Sequence, residues 1–437
     1  MEMRTDFNKA DVASSAARPL TICVIGPANS VHVAARARCF ADLGQTVLLV
    51  TGERSRSGIA GVSEHAPAPE NARAGNLARR LLAPAVRALG MPPGLSHLPS
   101  LVRFLQKNRP DVVHVHFAQG YYAWLAGLIG CRPLVVSVMG GDILFDEQGT
   151  HNPTTRWLTV ELLRQADYIT SKSHYLTSVL DQLGGFGAKT ERVIWGVPMS
   201  RFHRTDCTAL RTRLGIDPGR RIVMSPRILQ PLYRIHLLVE AMPLIVREIP
   251  EAVLLVTEHR PDPVYRAQIV RRVHELGLGK HVAFCGDIGH EEMPALYSLA
   301  EVSVGVPSSD GLPQTLLEAM ACETPSILSR LPRYEEIVRH EHSAYFVDAT
   351  PDAIAAGVIR LLSDPLLRSS ISRNALEIVA REGDLDEAAR RVLQRYRELA
   401  SSVPARAFSL SRCWRAWRSF RRFRASLAAQ PVRRGGT

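Results

Sequence analysis

The sequence predicts a fold of two doubly wound α/β domains, and three observations support it. Short apolar runs alternate with stretches of helical periodicity from about residue 20 to residue 400. Gly, Pro and Ser interrupt this alternation at 196–202, after which it restarts. The chain has 437 residues and an apolar content of 46%, which suffices for two cores. Alternation of this kind is typical of parallel sheets covered by helices.

The first half contains predicted strands at 20–26, 46–51, 111–117 and 134–139. Each is a short apolar run that ends at a turn or a polar residue, as buried parallel strands do. Amphipathic helices are predicted at 77–89 and 98–107, and a loop rich in Gly, Ala and Pro at 53–76. The polar residues 1–18 are expected to be disordered.

The second half contains predicted strands at 221–227, 252–257, 282–286, 302–306 and 326–329. We therefore divide the chain by its pattern and composition. The predicted units are a disordered N-terminus (1–18), a first Rossmann-like domain (19–199), a second Rossmann-like domain (200–383), a helix with its linker (384–403) and a basic aromatic tail (404–437).

Composition limits the classes of protein to which the chain can belong. No run of eighteen apolar residues occurs, so no membrane-spanning helix is predicted, and the first residues lack the apolar segment of a secretory signal. The seven cysteines are scattered and form no C-x-x-C pair. This pattern favours buried free thiols in a reducing cytoplasm over a disulfide framework or a zinc site.

The positive charge of the chain is concentrated at its C-terminus. The formal net charge is +12, and residues 404–437 hold nine Arg without any Asp or Glu. Most of the excess charge therefore belongs to a tail, not to a domain surface that binds nucleic acid.

The most informative segment is 307–325, with the sequence P-S-S-D-G-L-P-Q-T-L-L-E-A-M-A-C-E-T-P. Pro313 suits the first position of a helix, so free amides of the first turn would face the loop that carries Asp310. A helix end of this kind binds phosphate readily. Glu318 lies just over one turn into the helix, where its carboxylate can accept two hydroxyl hydrogen bonds from a ribose. The alternative is a loop that only caps the helix and a solvated glutamate.

This segment resembles the signature of the retaining GT-B glycosyltransferases of family 4, in which two acids flank Gly-x-Pro. The resemblance implies that Asp310 holds the transferred sugar and acts in catalysis, while Glu318 holds the nucleotide. The further donor-binding residues that it implies are Gly311, Leu312, Pro313, Gln314 and Thr315. Two residues depart from the usual pattern. Asp310 is one methylene shorter than the usual Glu, and Glu323 replaces a Gly, which would leave the helix without its usual left-handed cap.

A second segment, S-P-R-I-L-Q-P-L-Y-R (225–234), follows the first predicted strand of the second domain. A basic residue there would lie at the carboxyl edge of the sheet, where ligands bind in open α/β folds. The segment resembles the family's G-R-L-x-x-x-K-G, whose Arg and Lys clamp the donor phosphates. Arg227 matches the Arg, whereas Tyr233 falls on the Lys position and leaves Arg234 as the candidate substitute. A plain surface salt bridge is the alternative for Arg227.

The loop after the first predicted strand, G-P-A-N-S-V-H (26–32), lacks the pattern G-x-G-x-x-G. A hydride-transfer enzyme is therefore disfavoured. The family resemblance places the donor diphosphate and the acceptor near this loop, although a plain tight turn would have the same composition. The residues concerned are Gly26, Asn29 and Ser30.

His114 and His116 lie two residues apart on a predicted strand, so both imidazoles face the same side of the sheet. Such a pair could ligate a metal, but no third ligand of suitable spacing accompanies it, and a buried core histidine is a further alternative. The resemblance implies that His116 lies at the cleft near the transferred sugar. Asp142 stands in a loop similar to the family's H-G-x-D, with Met139 at the His position. There it would either orient an acceptor hydroxyl or cap the next helix.

The resemblance covers residues 20 to 400 and implies a function. Two domains would face each other across a cleft and transfer a sugar from a nucleotide-sugar donor with retention at the anomeric carbon. No metal or other cofactor is expected, because Arg, Lys and helix amides would stabilise the leaving diphosphate. The context that we favour is surface polysaccharide assembly on a lipid-linked or glycan acceptor. The alternatives are a non-catalytic nucleotide-sugar-binding or membrane-binding protein on the same scaffold, and a nucleotide-sugar epimerase.

Residues 410–424, L-S-R-C-W-R-A-W-R-S-F-R-R-F-R, interleave aromatic residues with six Arg. A helix over this segment would spread the aromatic rings over about half of its circumference and gather Arg on the other half. The two sets are Trp414, Trp417, Phe420 and Phe423, and Arg412, Arg415, Arg418 and Arg422. This predicts an interfacial helix that holds a peripheral protein at the anionic inner face of the membrane. Nucleic-acid binding and a solvated, disordered tail are the alternatives.

Overall fold

The computed structural model describes residues 18–55, 58–66, 95–145, 147 and 152–428. Almost all of the predicted disordered N-terminus, the predicted helix at 77–89, parts of the predicted loop at 53–76 and the end of the tail lie outside these residues.

The first domain is built on a seven-stranded parallel sheet. Its strands are β1 (Thr21–Ile25), β2 (Thr46–Val50), β3 (Val62–His65), β4 (Val112–His116), β5 (Leu134–Ser137), β6 (Tyr168–Ser171) and β7 (Thr190–Arg192). Their order across the sheet is β3-β2-β1-β4-β5-β6-β7. The order reverses direction between β1 and β4, and a ligand crevice forms at the carboxyl ends of the strands beside such a switch point.

Helices cover both faces of the first sheet. They are α1 (Val31–Asp42), α2 (Leu98–Asn108), α3 (Tyr121–Ile129), α4 (Pro153–Gln165) and α5 (His174–Gly184). Alternate residues of β1 enter different cores. Cys23 and Ile25 pack with α3 and α4, whereas Ile22 and Val24 pack with α1. The predicted helix at 98–107 is confirmed as α2.

The second domain repeats the architecture with a six-stranded parallel sheet, which confirms the predicted fold class. Its strands are β8 (Arg221–Ser225), β9 (Ala252–Val256), β10 (Val282–Phe284), β11 (Val302–Gly305), β12 (Ser326–Ser329) and β13 (Tyr345–Val347), in the order β10-β9-β8-β11-β12-β13. Its helices are α6 (Thr208–Arg213), α7 (Ile235–Glu248), α8 (Pro263–Glu275), α9 (Met293–Leu299), α10 (Gln314–Ala321), α11 (Pro332–Glu335), α12 (Pro351–Ser363) and α13 (Pro365–Glu382). Because β8 and β11 are neighbours, the loops that follow them meet at one edge of the sheet.

The chain passes between the domains twice, and the two passages lie side by side. The Val197 amide donates to the Gly383 carbonyl at 2.8 Å, and the Leu385 amide donates to the Val197 carbonyl at 3.1 Å. A Cβ on Gly196 would lie 1.6 Å from the Gly383 oxygen, so this approach requires glycine. Helix α14 (Leu385–Ser402) then returns to the first domain, where the Tyr396 ring packs 5.4 Å from that of Phe40.

The tail forms a helix, α15 (Leu410–Ala428), that packs on the first domain. Phe420 is buried with its ring 5.1 Å from that of Trp157 in α4, and the Phe423 ring lies 5.8 Å from the same indole. The prediction of an interfacial helix whose aromatic half meets the membrane is therefore wrong for Phe420 and Phe423, which face the domain. Arg412, expected on the polar half, lies over Gly130 and donates to Gln165. A helical wheel shows which residues share a face but not which face meets the domain.

The outward face of α15 is strongly basic. Its exposed side chains include Leu410, Trp414, Arg415, Arg418, Arg421, Arg422 and Arg424. No helix in the described part of the chain is both long and apolar enough to cross a bilayer. All seven cysteines lie in described segments as free thiols, and four of them are buried.

Candidate active site

A cavity of about 420 Å³ lies between the carboxyl edges of the two sheets. The loop after β1, the end of β4 and the residue after β6 form its wall on the first domain. The loops after β8 and β11 and the start of α10 form the opposite wall. The predicted residues that line it are Ser30, His116, Arg227, Asp310, Leu312, Pro313, Gln314 and Thr315.

Arg227 is held in a fixed position by its neighbours. One guanidinium nitrogen donates to the Asp310 carboxylate at 2.6 Å, and the other donates to the Thr315 hydroxyl at 2.9 Å. The Tyr233 ring stacks on the guanidinium 4.2 Å away, and the Tyr334 hydroxyl donates to Asp310 at 3.1 Å. Burial works against the charge, but Asp310 outweighs it and the pKa of Arg227 is raised. The two predicted catalytic groups therefore form one ion pair that is largely buried.

Glu318 is buried in α10, just over one turn from the start of that helix. Its carboxylate accepts a hydrogen bond from the Tyr297 hydroxyl at 2.9 Å and lies 3.2 Å from the His290 Nε2 atom. It lines a smaller adjoining cavity, which shares His32 and Gln314 with the first. The structure thus separates the two acids, with Asp310 in the main cavity and Glu318 beside it.

The end of α10 corrects a second expectation. Glu323 adopts the left-handed conformation at φ 57°, its amide donates to the Met320 carbonyl, and the Thr324 amide donates to the Ala319 carbonyl. These two bonds define a Schellman motif, which usually has glycine at this position. The left-handed cap is therefore present, formed by a glutamate.

The loops of the two domains touch directly above the cavity. A Cβ on Gly311 would lie 2.3 Å from the Met139 carbonyl oxygen, and one on Gly140 would lie 2.9 Å from the Gly311 Cα atom. Close by, Arg333 of the second domain donates twice to Glu147 of the first, at 2.8 and 3.0 Å. The cleft is therefore closed, and two glycines permit this closure.

His114 and His116 share a side of the sheet, with ring centroids 3.9 Å apart, but have different surroundings. His114 is bonded to Ser137 and Tyr396 inside the domain. His116 lines the cavity, with Nδ1 3.2 Å from Arg36 and a buried Nε2 that has no partner in the described part of the chain. Burial holds the pKa of both imidazoles well below its usual value, so both are neutral.

Four predicted residues lie away from the cavity. The Asp142 carboxylate is fully buried and accepts the amides of Ala118, Met139 and Gly140 at 2.7–2.9 Å, so it organises these loops and cannot reach an acceptor. Asn29 donates to Glu53 and the Arg54 carbonyl, and Gly26 packs on Val33. Arg234 follows a short turn at 231–233 and does not line the cavity.

Two family models match the chain, one on each domain. The model described as Glycosyl transferase 4-like domain matches residues 29–194, and that described as Glycosyl transferases group 1 matches residues 206–378. Together they cover most of the chain, and each model matches the domain built on one of the two sheets. The chain belongs to the group 1 glycosyltransferases of family 4.

Known relatives agree with this assignment. The glycosyltransferase is 24% identical over 295 residues to N-acetyl-alpha-D-glucosaminyl L-malate synthase of Bacillus anthracis, covering 66% of this chain and 74% of that protein. It is 30% identical over 252 residues to a GDP-mannose-dependent alpha-(1-6)-phosphatidylinositol monomannoside mannosyltransferase of Mycolicibacterium smegmatis, covering 55% and 64% of the two chains. The second of these relatives is named as a mannosyltransferase.

The fold is shared with solved glycosyltransferases. The crystal structure of HepE from Anabaena in complex with UDP-glucose superposes with a TM-score of 0.71 at 17% identity, covering 87% of this chain and 100% of that one. The two facing domains of the glycosyltransferase thus form a GT-B fold.

Several residues of the site could not be found by sequence reasoning. Arg36, from α1, and Lys172, directly after β6, are buried beside the cavities, and neither belongs to a local motif. His290 and Tyr297 reach Glu318 from a separate loop and from α9. Their only sequence signal is a polar residue near a predicted strand or helix end, which is common in any α/β protein.

Proposed function

We propose that the glycosyltransferase takes its sugar from a nucleotide-sugar held mainly by the second domain. One observation carries this proposal: Arg227, Asp310 and the start of α10 share one cavity, and Glu318 lies about one helical turn further along the same helix. One helical turn spans about 5.4 Å, which suits the distance between a phosphate bound at the helix start and the ribose of the same nucleotide. Structural neighbours crystallised with UDP and UDP-glucose support this class of donor.

The leaving diphosphate is stabilised by fixed protein groups. Arg227 already points into the cavity and makes charge-assisted bonds, each worth roughly 1.5–3 kcal/mol. The free amides of α10 add their dipoles. Preorganised groups of this kind can replace a metal ion, so we expect substantial activity in excess EDTA. Loss of activity in EDTA with recovery on adding Mg²⁺ or Mn²⁺ would reject this part of the proposal.

The carboxylates that the cavity offers support retention without a covalent intermediate on the enzyme. Among the described residues, Asp310 is the only carboxylate that lines it, and Arg227 and Tyr334 already bind this group. Such a carboxylate is a poor nucleophile. In the reaction that we propose, the acceptor oxygen attacks from the face that the diphosphate leaves, and its proton passes to the leaving phosphate. NMR of the first-formed product should show the anomeric configuration of the donor.

The acceptor lies on the first domain and is lipid-linked. The basic outward face of α15 belongs to that domain, and a relative is named for action on phosphatidylinositol monomannoside. Each Arg near an anionic bilayer contributes about 1 kcal/mol of attraction. We therefore place the glycosyltransferase on the cytoplasmic face of the membrane, in assembly of a surface polysaccharide.

Vesicle co-sedimentation tests this membrane contact. Substitution of the exposed Arg of α15 by Gln leaves the buried stripe around Phe420 intact, so the helix should stay docked. We expect this variant to lose binding to anionic vesicles, whereas Arg271→Gln with Arg272→Gln on α8 should bind as the wild type does. Equal pelleting of all three would refute the contact, and loss of RNA binding alone would favour nucleic acid. The substituted residues are Arg415, Arg418, Arg421, Arg422 and Arg424.

Product analysis tests the proposed reaction. Purified protein is incubated with UDP-sugars and GDP-sugars, first alone and then with a bacterial lipid extract. Transfer of label to the lipid fraction supports the proposal. A new sugar in the donor pool without lipid indicates an epimerase, and binding without any product indicates a non-catalytic protein.

A further inference from the structure

Lys172 occupies an unusual position for a lysine. It directly follows β6 at the carboxyl edge of the first sheet, is only 5% exposed, and lines the main cavity together with Arg227 and Asp310. Its Nζ atom donates to the carbonyl of Leu312, in the loop before α10, at 3.1 Å. The side chain thus reaches across the cleft to the second domain.

The hydrogen bonds of Lys172 are incomplete. An ammonium group has three donors, yet Leu312 provides the only acceptor within reach in the described part of the chain. Lys189, a partly buried lysine of the same domain, donates to three carbonyls, those of Leu163, Arg164 and Ala166, at 2.7–3.0 Å. A buried cation without a carboxylate is costly unless another group compensates it. The free donors of Lys172 therefore point to an acceptor that enters the cavity.

The charges around Lys172 show what kind of acceptor is needed. Arg36 is 2% exposed and has no carboxylate partner in the described chain; it contacts His116, Met139 and the Trp195 ring. Burial and then Arg36 lower the pKa of Lys172 to about 7, against the opposing effects of Asp310 and Asp142. Arg227 and His32 are the other titratable groups that interact with it electrostatically. No acidic side chain among the described residues lines the first-domain side of the cavity.

We propose that Lys172 is the second cation of the leaving-group clamp and binds the β-phosphate of the nucleoside diphosphate from the domain opposite Arg227. This inference rests on the proposed function. Tyr233 occupies the position of the expected clamp Lys, and its ring stacks on Arg227, while Arg234 stays outside the cavity. As the bond from the anomeric carbon to the β-phosphate oxygen breaks, its electron pair moves to that oxygen, where Lys172 stabilises the charge.

This assignment couples catalysis to closure of the cleft. Lys172 and Arg227 belong to different domains, so they can hold one phosphate only when the loops at Gly140 and Gly311 are in contact. The open enzyme would present Arg227 alone. Lys172 then reaches the phosphate only when the first domain, which carries the acceptor, closes onto the second.

Calorimetry with inorganic pyrophosphate, UDP and GDP tests the proposal. Lys172→Met should weaken pyrophosphate and the tighter nucleotide roughly 10- to 100-fold, whereas Lys172→Arg should keep most of the affinity. Lys189→Met is the control, because it removes a partly buried ammonium that does not line the cavity, and its affinities should equal those of the wild type. Thermal unfolding of each variant shows that it is folded.

The pH dependence gives a readout that a structural role would not change. Binding of the anion favours protonated Lys172, so wild-type affinity relative to that of Lys172→Met should fall as pH rises above about 7. The comparison cancels the titration of the phosphates themselves. Equal pyrophosphate affinity and equal pH profiles for the two proteins would overturn the assignment, as would a rise confined to the KM for the acceptor. A wild-type protein that binds none of the three probes would instead refute the proposed donor site, and this inference with it.

Discussion

The two faces of the cleft hold their positive charges in different ways. On the second domain, Arg227 forms an ion pair with Asp310 at 2.6 Å before any ligand arrives. On the first domain, Arg36 and Lys172 are as deeply buried but have no carboxylate partner in the described chain. The positive charge of the second-domain face is thus compensated by a carboxylate of the protein, and we call it the compensated face. The positive charge of the first-domain face, the uncompensated face, depends on an incoming anion. Removal of a charge should therefore have opposite effects on the stability of the empty protein at the two faces.

The largest effect is expected from the compensated face. Arg227→Ala removes the fixed cation on the leaving group and leaves Asp310 buried without its partner, so turnover should fall about 100-fold or more. Arg221→Ala is the control, because Arg221, at the start of β8, also forms an ion pair, with Glu301, but does not line the cavity. Steady-state kinetics of both variants checks this, and equal losses would show that the ion pair has no special role.

Asp310→Asn should affect catalysis without weakening the diphosphate. The change removes the carboxylate that competes with the diphosphate for Arg227, so affinity for UDP or GDP should not fall. Turnover should drop roughly 10- to 100-fold, because the transferred sugar loses a charged hydrogen-bond acceptor. Calorimetry combined with kinetics separates the two quantities. A loss of diphosphate affinity as large as that of Arg227→Ala would show that the acid supports the nucleotide.

Glu318→Gln should act on donor binding itself. Loss of the buried carboxylate should weaken the nucleotide by roughly 1–3 kcal/mol. The expected loss is the same for the free nucleoside diphosphate and the nucleotide-sugar, because the ribose is common to both. Glu323→Gln, at the end of the same helix, is the control for calorimetry. Unchanged affinity in Glu318→Gln would show that the ribose does not bind at Glu318.

The free energy of unfolding should depend on pH through Lys172, which lies on the uncompensated face. The pKa of Lys172 is lowered to about 7 in the folded protein from a usual 10.5, so the unfolded chain binds the extra proton between these values. Folding stability of the empty protein should therefore rise from pH 7 towards pH 10, by about 1 kcal/mol or more. Lys172→Met should remove this rise and be more stable than the wild type below pH 7. Parallel denaturation curves for the two proteins across this range would contradict the account.

The smallest effect concerns the cap of α10, which touches neither set of charges. A left-handed conformation is strained for Glu323 and relaxed for glycine, although glycine also gains entropy in the unfolded chain. Glu323→Gly should stabilise the protein by about 0.5–1 kcal/mol without changing donor affinity. Chemical denaturation measures this gain, and a loss of stability would mean that the glutamate side chain makes its own contribution.

Sequence reasoning located the compensated face more completely than the other. Arg227, Asp310, Thr315 and Glu318 belong to continuous motifs at predicted strand and helix ends, and the strand order β8-β11 then brings them together. Lys172 follows a strand of four residues, Y-I-T-S, whose half-polar composition gave no strand signal. Its role depends on a loop 140 residues away.

Long-range packing also explains the error at the tail. The apolar stripe of α15 was visible in the sequence, but Trp157, its main partner, lies in a distant helix. Short edge strands were missed for a related reason. Strands β3, β7 and β13 have three or four residues, too few to show a period of two.

A crystal structure of the complex with UDP or GDP, whichever binds more tightly, would test the central claim most directly. The account predicts a closed cleft in which the β-phosphate lies within hydrogen-bond distance of both Arg227 and Lys172, with the ribose hydroxyls on Glu318. A diphosphate that fails to contact either one of the two cations, or a ribose placed away from Glu318, would contradict it.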